Sequence, residues 1–460
     1  MNKILNHPII RFCLVISFAV ADVGVSVHAG DTEIEESGAW PAMRVFGSDR
    51  AVNRGESAVE RHAVEEPDGV LALQRALELA LMHNPVLAGS SHAVWAAEGA
   101  ARQAGVFPNP ELELEAEEFG GSGSRKGSTA AETSVRLSQS LELGGKRGKR
   151  QRVAQSEARL VGWDYEAKRL DVLTETKKAF VDVLLAQGRL ALAESLLAVA
   201  GDVHKAAAER VKSGKVPPLE ETKAGVEVAS ARIALDRARR ELVTRRKRLA
   251  ASWGGTAPVF KEAGGVLDAV EDVPSLEKLS SLRGDIPEVA RWSEEVALAR
   301  ESFALAKAVR IPDVSISAGI SRFEEDGSHA GTVGLSLPLP LFDRNAGGIS
   351  AARHQATRAE YEQRAARLRA TTDLVDAHSR IETARVEAMT IKAELLPGAR
   401  QAFEVAQTGY REGKYGHLEV LDTQRTLNEV KTRYLDVLAA YHKATADLER
   451  LTGAPRNTIR

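Results

Sequence analysis

The chain has 460 residues, 62 basic and 64 acidic, for a formal net charge of −2. That balance argues against a dedicated nucleic-acid binder, which carries a basic excess. A single cysteine, Cys13, excludes a disulfide framework and cysteine-ligated zinc or iron–sulfur centres.

The first residues have the grammar of an export signal. Lys3 and Arg11 supply positive charge, an apolar run follows from Phe12 to Ala21, and Val27-His28-Ala29 forms a small-x-small cleavage site. Residues 1–29 are therefore expected to be a signal peptide, and 30–68 an irregular N-terminal segment. The apolar run is too short to span a bilayer as a helix. No later segment reaches roughly 18 uninterrupted apolar residues. A place in a membrane would then require a β-barrel.

The rest of the chain repeats itself. Asn109-Pro110-Glu111-Leu112 sets against Ile311-Pro312-Asp313-Val314, Ser213-Gly214-Lys215 against Glu412-Gly413-Lys414, and Leu219-Glu220 against Leu418-Glu419, all about 200 residues apart. Two copies result, 70–255 and 282–455, with a Pro- and Gly-containing linker at 256–281 and a short tail at 456–460. In copy one, 70–104 reads as helix broken at Asn84-Pro85. Period-2 alternation predicts strands at about 110–119 and 132–143. A helix then runs from Gly144-Gly145 to about Ser213, turns tightly, and returns. Copy two repeats this, with strands at about 312–323 and 330–342 and a long helix from about Gly348 to Glu412. Helices of about 65 residues reach on the order of 100 Å, so they must pack along one another. Val420, Thr423, Leu427, Val430, Tyr434, Val437, Tyr441, Ala444, Leu448 and Leu451 alternate spacings of three and four. That 3.5-residue period is expected to make a left-handed coiled-coil seam, the alternative being an ordinary two-helix packing stripe. The fold class is mainly α with β: a duplicated helix–β-hairpin–long helix–helix protomer.

Four strands cannot close a barrel, since single chains start at about eight. Either they form a small soluble sheet or several protomers share one barrel, and three protomers would give twelve strands. Phe107 and Phe119 bracket the first strand, Phe323 ends the third and Phe342 the fourth, as girdle aromatics would. Glu111, Glu113, Glu115 and Glu117 share one face of the first strand. That face is either a solvated edge or a cation-favouring lumen.

At the tips, Gly214 and Gly413 suit the left-handed residue that ends a helix. Glu419 and Asp422, three apart, share a helical face just past the second turn. They are either acidic groups at a narrow mouth or favourable charge near a helix N-terminus. His417 beside them is read as an exposed structural residue. The eleven histidines are scattered without zinc-motif spacing, and nucleophile or dinucleotide motifs are lacking. No catalytic residue, metal site or cofactor is expected.

With these motifs the chain resembles the TolC-like outer-membrane efflux channels over about 70–455. FPNPELELEAEEFGG (107–121), SQSLELGGKRGKR (138–150) and LSLPLPLFDRNAGG (335–348) are similar to the CzcC-like branch, which serves heavy-metal cation efflux. The resemblance implies a homotrimer with one twelve-stranded barrel in the outer membrane and an α-helical tunnel in the periplasm. It implies docking onto a periplasmic adaptor protein and an inner-membrane resistance–nodulation–division pump. Glu419 and Asp422 match the family's periplasmic aperture, Glu at the first being a departure in side-chain length. The adaptor contacts match Gly214-Lys215-Val216 and Gly413-Lys414-Tyr415. Lys146, Arg147, Lys149 and Arg150 are then expected in a periplasmic turn near lipid head groups. Within the family, a multidrug or type I secretion exit duct is the alternative. A soluble periplasmic coiled-coil adaptor is the alternative of another class.

Overall fold

The computed structural model describes residues 66–128, 130–281 and 287–452; the expected signal peptide, nearly all of segment 30–68 and the tail 456–460 lie outside the described residues. In chain order the elements are β1 (Val70–Ala72), α1 (Leu73–His83), α2 (Pro85–Ala104), β2 (Glu111–Glu117), β3 (Glu132–Leu141), α3 (Lys146–Lys212) and α4 (Pro218–Ala251). There follow β4 (Glu262–Gly264), α5 (Leu276–Ser281), α6 (Pro287–Val309), β5 (Val314–Phe323), β6 (His329–Ser336), α7 (Ala346–Thr390), α8 (Leu396–Arg411) and α9 (His417–Thr452). A π-helical segment, Ile391–Leu395, joins α7 to α8.

The break at Asn84-Pro85 has a local cause. The Asn84 side chain accepts the Val86 and Leu87 amides at 2.8 and 3.2 Å. Pro85 then takes the first helical position, where its missing N–H costs nothing. Asn84 Nδ2 also donates to the Ser252 carbonyl at 2.7 Å, tying the start of copy one to its end.

The seam of α9 is buried as its spacing predicts: Val420, Leu427, Tyr434, Val437, Tyr441, Ala444 and Leu448 are all interior. Its counterpart in α4 runs through Ala224, Ala231, Leu235, Ala238, Leu242 and Leu249. Part of α3 is long and apolar enough to cross a membrane by composition alone. However, its Ala179, Phe180, Val181, Val183 and Leu184 lie in the main core with α7, α9 and the linker.

Three sequence expectations change. Residues 70–72 form a strand rather than the start of a helix, paired in parallel with Glu262–Gly264 of the linker. The linker is itself bound down: Tyr441 Oη accepts the Glu271 amide (3.0 Å) and donates to its carbonyl (2.9 Å), and His442 Nε2 lies 2.7 Å from the Leu267 carbonyl. The long helix of copy two is interrupted. Its buried positions step by three and four from Leu374 through Ala377, Ile381, Ala384 and Ala388 to Ile391, then resume at Ala399. That last step is one residue longer than a heptad, and the π turn absorbs the extra residue. Finally, the fourth strand stops at Ser336 instead of about 342. Pro338 and Pro340 have no N–H to give a ladder, although Leu337, Leu339 and Leu341 keep the alternation.

Candidate functional site

The second sheet has strand order β2-β3-β5-β6, antiparallel throughout. Its register assigns the faces. Leu112 stands opposite Leu137, Leu114 opposite Val135, Val135 opposite Ile320, and Ile316 opposite Leu335. These side chains and Val333, which is 84% exposed, form an apolar face on the surface, bounded by Gln139 at the junction end and by Thr133, Arg322 and His329 at the other. The other face carries Glu111, Glu113, Glu115 and Glu117 beside Ser138, Arg136, Ser134 and Glu132, and then Ser317 and Ser321. The four glutamates therefore lie on the polar side, backed by an exposed apolar side. Alternation within one strand could not assign this; pairing across four strands does. Arg136 Nη1 meets Glu113 at 3.0 Å, so the one cation of this face neutralises part of its acidic row.

Both outer strands, β2 and β6, have one unpaired edge among the described residues. An open edge leaves N–H and C=O groups unsatisfied, which lipid does not tolerate.

All four helix-to-strand junctions lie at one end of this sheet: 105–110, 142–145, 310–313 and 337–345. They are cross-tied. Arg150 holds Glu142 with two nitrogens and donates to the Ala104 carbonyl at 2.9 Å. Lys146 pairs with Asp313 at 2.8 Å, and Asp313 also accepts the Leu143 amide at 2.9 Å. Asn345 Nδ2 donates to the Ala306 carbonyl at 2.8 Å. Gly144, at φ +69°, must be glycine: a Cβ there would lie 2.7 Å from Ile311 Cδ1. Of the four basic residues expected near head groups, Lys146 and Arg150 are thus engaged by carboxylates within the chain.

The helical tips lie at the far ends of the hairpins, and the two are alike. Lys215 N–H donates to the Arg210 carbonyl (2.9 Å) and Lys414 N–H to the Gly409 carbonyl (2.7 Å). The glycine before each lysine is left-handed, Gly214 at φ +69° and Gly413 at +77°. This is the same six-to-one C-cap in both copies. Val216 and Tyr415 follow in the turns, and the Tyr415 ring lies against Gly409, where a Cβ would fall 2.1 Å from its Cδ2. Glu419 and Asp422 are exposed on the first turns of α9, and neither is ion-paired among the described residues.

One cluster behind the tips was not legible in the sequence. His417 is 4% exposed, which overturns the expectation that it is exposed. Its ring lies 5.9 Å from that of Tyr410, over an apolar cluster of Val203, Ala406, Tyr410 and Val420. Arg210 stacks on Tyr410 at 4.5 Å and donates to its carbonyl at 3.2 Å, while Tyr410 Oη lies 3.5 Å from Glu220. Burial, the largest influence, raises the Tyr410 phenol above its ordinary value; Arg210 opposes this and Glu220 reinforces it. Residues some 200 positions apart meet here, and no local pattern announces it.

Among the described residues no three His, Cys, Asp or Glu side chains are grouped as metal ligands. The arrangement offers a two-faced sheet, a helical stem and paired tips, with no chemistry centred on any one residue.

The outer membrane efflux protein family matches residues 76–255 and 279–454. The chain is similar to the cobalt-zinc-cadmium resistance protein CzcC of Cupriavidus metallidurans, with 36% identity over 388 residues covering 84% of this chain and 91% of that protein. It is also similar to the nickel-cobalt-cadmium resistance protein NccC of Alcaligenes xylosoxydans xylosoxydans, at 29% over 308 residues, 67% of this chain and 69% of that one. The fold matches the crystal structure of CusC with a TM-score of 0.72 at 19% identity, covering 83% of this chain and 92% of that chain. The duplicated hairpins and the paired strand segments thus have one explanation: the chain belongs to the TolC-like outer membrane efflux protein family, a channel of the outer membrane with its helices in the periplasm and not an enzyme.

Proposed function

We propose that three copies of this chain form the exit duct of a tripartite efflux system for heavy-metal cations of the cobalt, zinc and cadmium type. The observation that carries the assembly is the sheet with two open edges and one exposed apolar face. Joining β2 of one copy to β6 of the next satisfies both edges, and three copies yield twelve strands. The apolar face then meets lipid and the glutamates face the lumen. Glu111, Glu113, Glu115 and Glu117 would stack as acidic rings spaced about 7 Å apart, two residues of strand rise, which favour cations. The soluble adaptor reading is set aside by the family match over both repeats. The cargo reading rests on the names of the relatives, which are metal-resistance proteins.

In the same reading Glu419 and Asp422 close the periplasmic mouth. The turns Gly214-Lys215-Val216 and Gly413-Lys414-Tyr415 meet a periplasmic adaptor coupled to an inner-membrane resistance–nodulation–division pump. The test has two arms. Cys13 is the one cysteine of the chain, so a chain carrying both Leu114→Cys and Val333→Cys reports the β2–β6 seam between copies. Disulfide-linked trimers on a denaturing gel are the expected result; monomers alone overturn the shared barrel. A deletion strain, complemented from a plasmid, is expected to lose tolerance to some of zinc, cobalt, cadmium and nickel. Lost tolerance to dyes and antibiotics with normal metal tolerance would move the chain to the multidrug alternative.

A further inference from the structure

The junction end of the sheet has more positive charge than its own fold uses. Glu142 and Asp313 are taken by Arg150 and Lys146. Asp343 accepts the amide of Asn345 in its own turn. Arginines with no carboxylate partner among the described residues remain here, among them Arg147, Arg310 and Arg344. Arg147 stacks on the Phe107 ring at 3.7 Å, Arg344 Nε donates to the Pro340 carbonyl at 3.3 Å, and Arg310 is exposed just past the end of α6. They lie in one neighbourhood. Lys146, beside Arg147, contacts Asp313, three residues from Arg310, and Asn345, beside Arg344, contacts Ala306 one turn before Arg310. Helix stability does not ask for the first of them. Arg147 lies in the first turn of α3, where the macrodipole disfavours a cation.

Interleaved with these cations is exposed apolar surface just beyond the sheet: Phe107, Leu339, Leu341 and Phe342, the last fully exposed. Sheet hydrocarbon, then aromatics and leucines, then unpaired guanidinium groups is the order of a bilayer from acyl chains to phosphates. Guanidinium forks suit phosphate oxygens, with two parallel N–H donors. The charge of a membrane surface adds to that attraction.

We propose that this collar binds anionic phospholipid of the periplasmic leaflet, with Arg147, Arg310 and Arg344 holding headgroup phosphate while Phe107 and Phe342 enter the acyl region. The inference rests on the barrel reading above and adds a lipid preference to it. The collar faces the membrane on the side from which all helices emerge, so the bound lipid fixes the height of the stem against the bilayer.

The test uses the full-length assembly in nanodiscs of dioleoylphosphatidylcholine, with and without dioleoylphosphatidylglycerol. Native mass spectrometry counts retained lipid, and thermal melting reads its effect. Phosphatidylglycerol is expected to be retained above its share of the bilayer. Each of Arg147→Gln, Arg310→Gln and Arg344→Gln should weaken retention about five-fold, and Arg→Lys should restore part of it. Glycerol phosphate in solution should shift nothing, because the apolar half of the site stays empty; an equal shift would mean a free-phosphate site and overturn the lipid assignment. Equal retention by wild type and the triple Gln variant would also overturn it. If the triple variant does not assemble, the wild type decides alone: no enrichment of phosphatidylglycerol over phosphatidylcholine sinks the proposal. Loss of the protein from the outer-membrane fraction would instead fault the barrel reading.

Discussion

His417 occupies an interior position with neither ring nitrogen hydrogen-bonded among the described residues. The groups that face it are Glu220, Lys223 and Glu227 from α4 and Tyr410 from α8, with Arg210 of α3 stacked on the Tyr410 ring. Burial is the largest influence and holds its basicity below the ordinary histidine value; Glu220 and Glu227 pull upward, and Lys223 adds to the lowering. A folded-state value below the unfolded one means the contribution to stability is complete above about pH 6.5 and is lost as pH falls through the folded value. His442, also buried and lowered mainly by desolvation, acts in the same direction in the linker contact. The tip is therefore expected to loosen on acidification. His417→Phe keeps the ring against Tyr410 and Val420 and removes two unsatisfied nitrogens. It should stabilise the tip by about 1 kcal/mol and flatten the acid response. Limited proteolysis of the tip at roughly pH 7.5 and 5.5 checks this; equal acid sensitivity in wild type and variant would remove His417 from the account.

At the level of elements, the two hairpins differ in one respect: α3 is continuous, while its counterpart in copy two carries the π turn at Ile391–Leu395 followed by Pro397. Two causes coincide there. The seam contains one residue too many, and the proline ring would collide with the carbonyl of Ala393 in a regular helix. They should be non-additive when removed. Pro397→Ala alone is expected to be nearly neutral, because the surplus residue still demands the wide turn. Deleting exposed Glu394 alone should cost about 3 kcal/mol by forcing proline into a regular helix. The two together should recover most of that loss, as read from thermal melting. Melting losses that simply add would show that the ring and the surplus act separately. The strands and the seams were legible because each is a local period, two for β2 and three-and-four for α9, and the repeats because the same short motifs recur about 200 residues on. The π turn was not legible, since a stripe of alanines at 384, 388 and 399 gives too weak a contrast to show a skipped residue. Strand β6 was overextended because leucine alternation through 341 outvoted two prolines. That Glu419 and Asp422 share an exposed face of α9 was readable from their spacing, whereas the role proposed for them comes from the family resemblance. The Arg210–Tyr410 stack was not, because it joins different repeats.

For the whole molecule, in the trimer proposed above, the acidic pair at the second tip would turn single-residue charge into a property of the assembly. Glu419 and Asp422 find no cation in their own protomer among the described residues, so three copies would bring six carboxylates to one mouth. Replacing both with alanine is expected to raise single-channel conductance in planar bilayers several-fold and to reduce cation preference; unchanged conductance and selectivity would take them out of the mouth. The parallel pairing of Val70–Ala72 with Glu262–Gly264 has a consequence in time rather than space. A parallel contact between such distant segments requires long loop closure, which is slow. Everything between them, the first hairpin and half the sheet, must be at hand before the linker can lie back on β1. Gln187 then bonds both the amide and the carbonyl of Ala263, at 2.8 and 3.1 Å, and locks the stitch. On this argument the first repeat is expected to close as a template before the second is bound to it, so that a lesion in the linker should be felt as failed maturation of the second hairpin rather than as loss of the first.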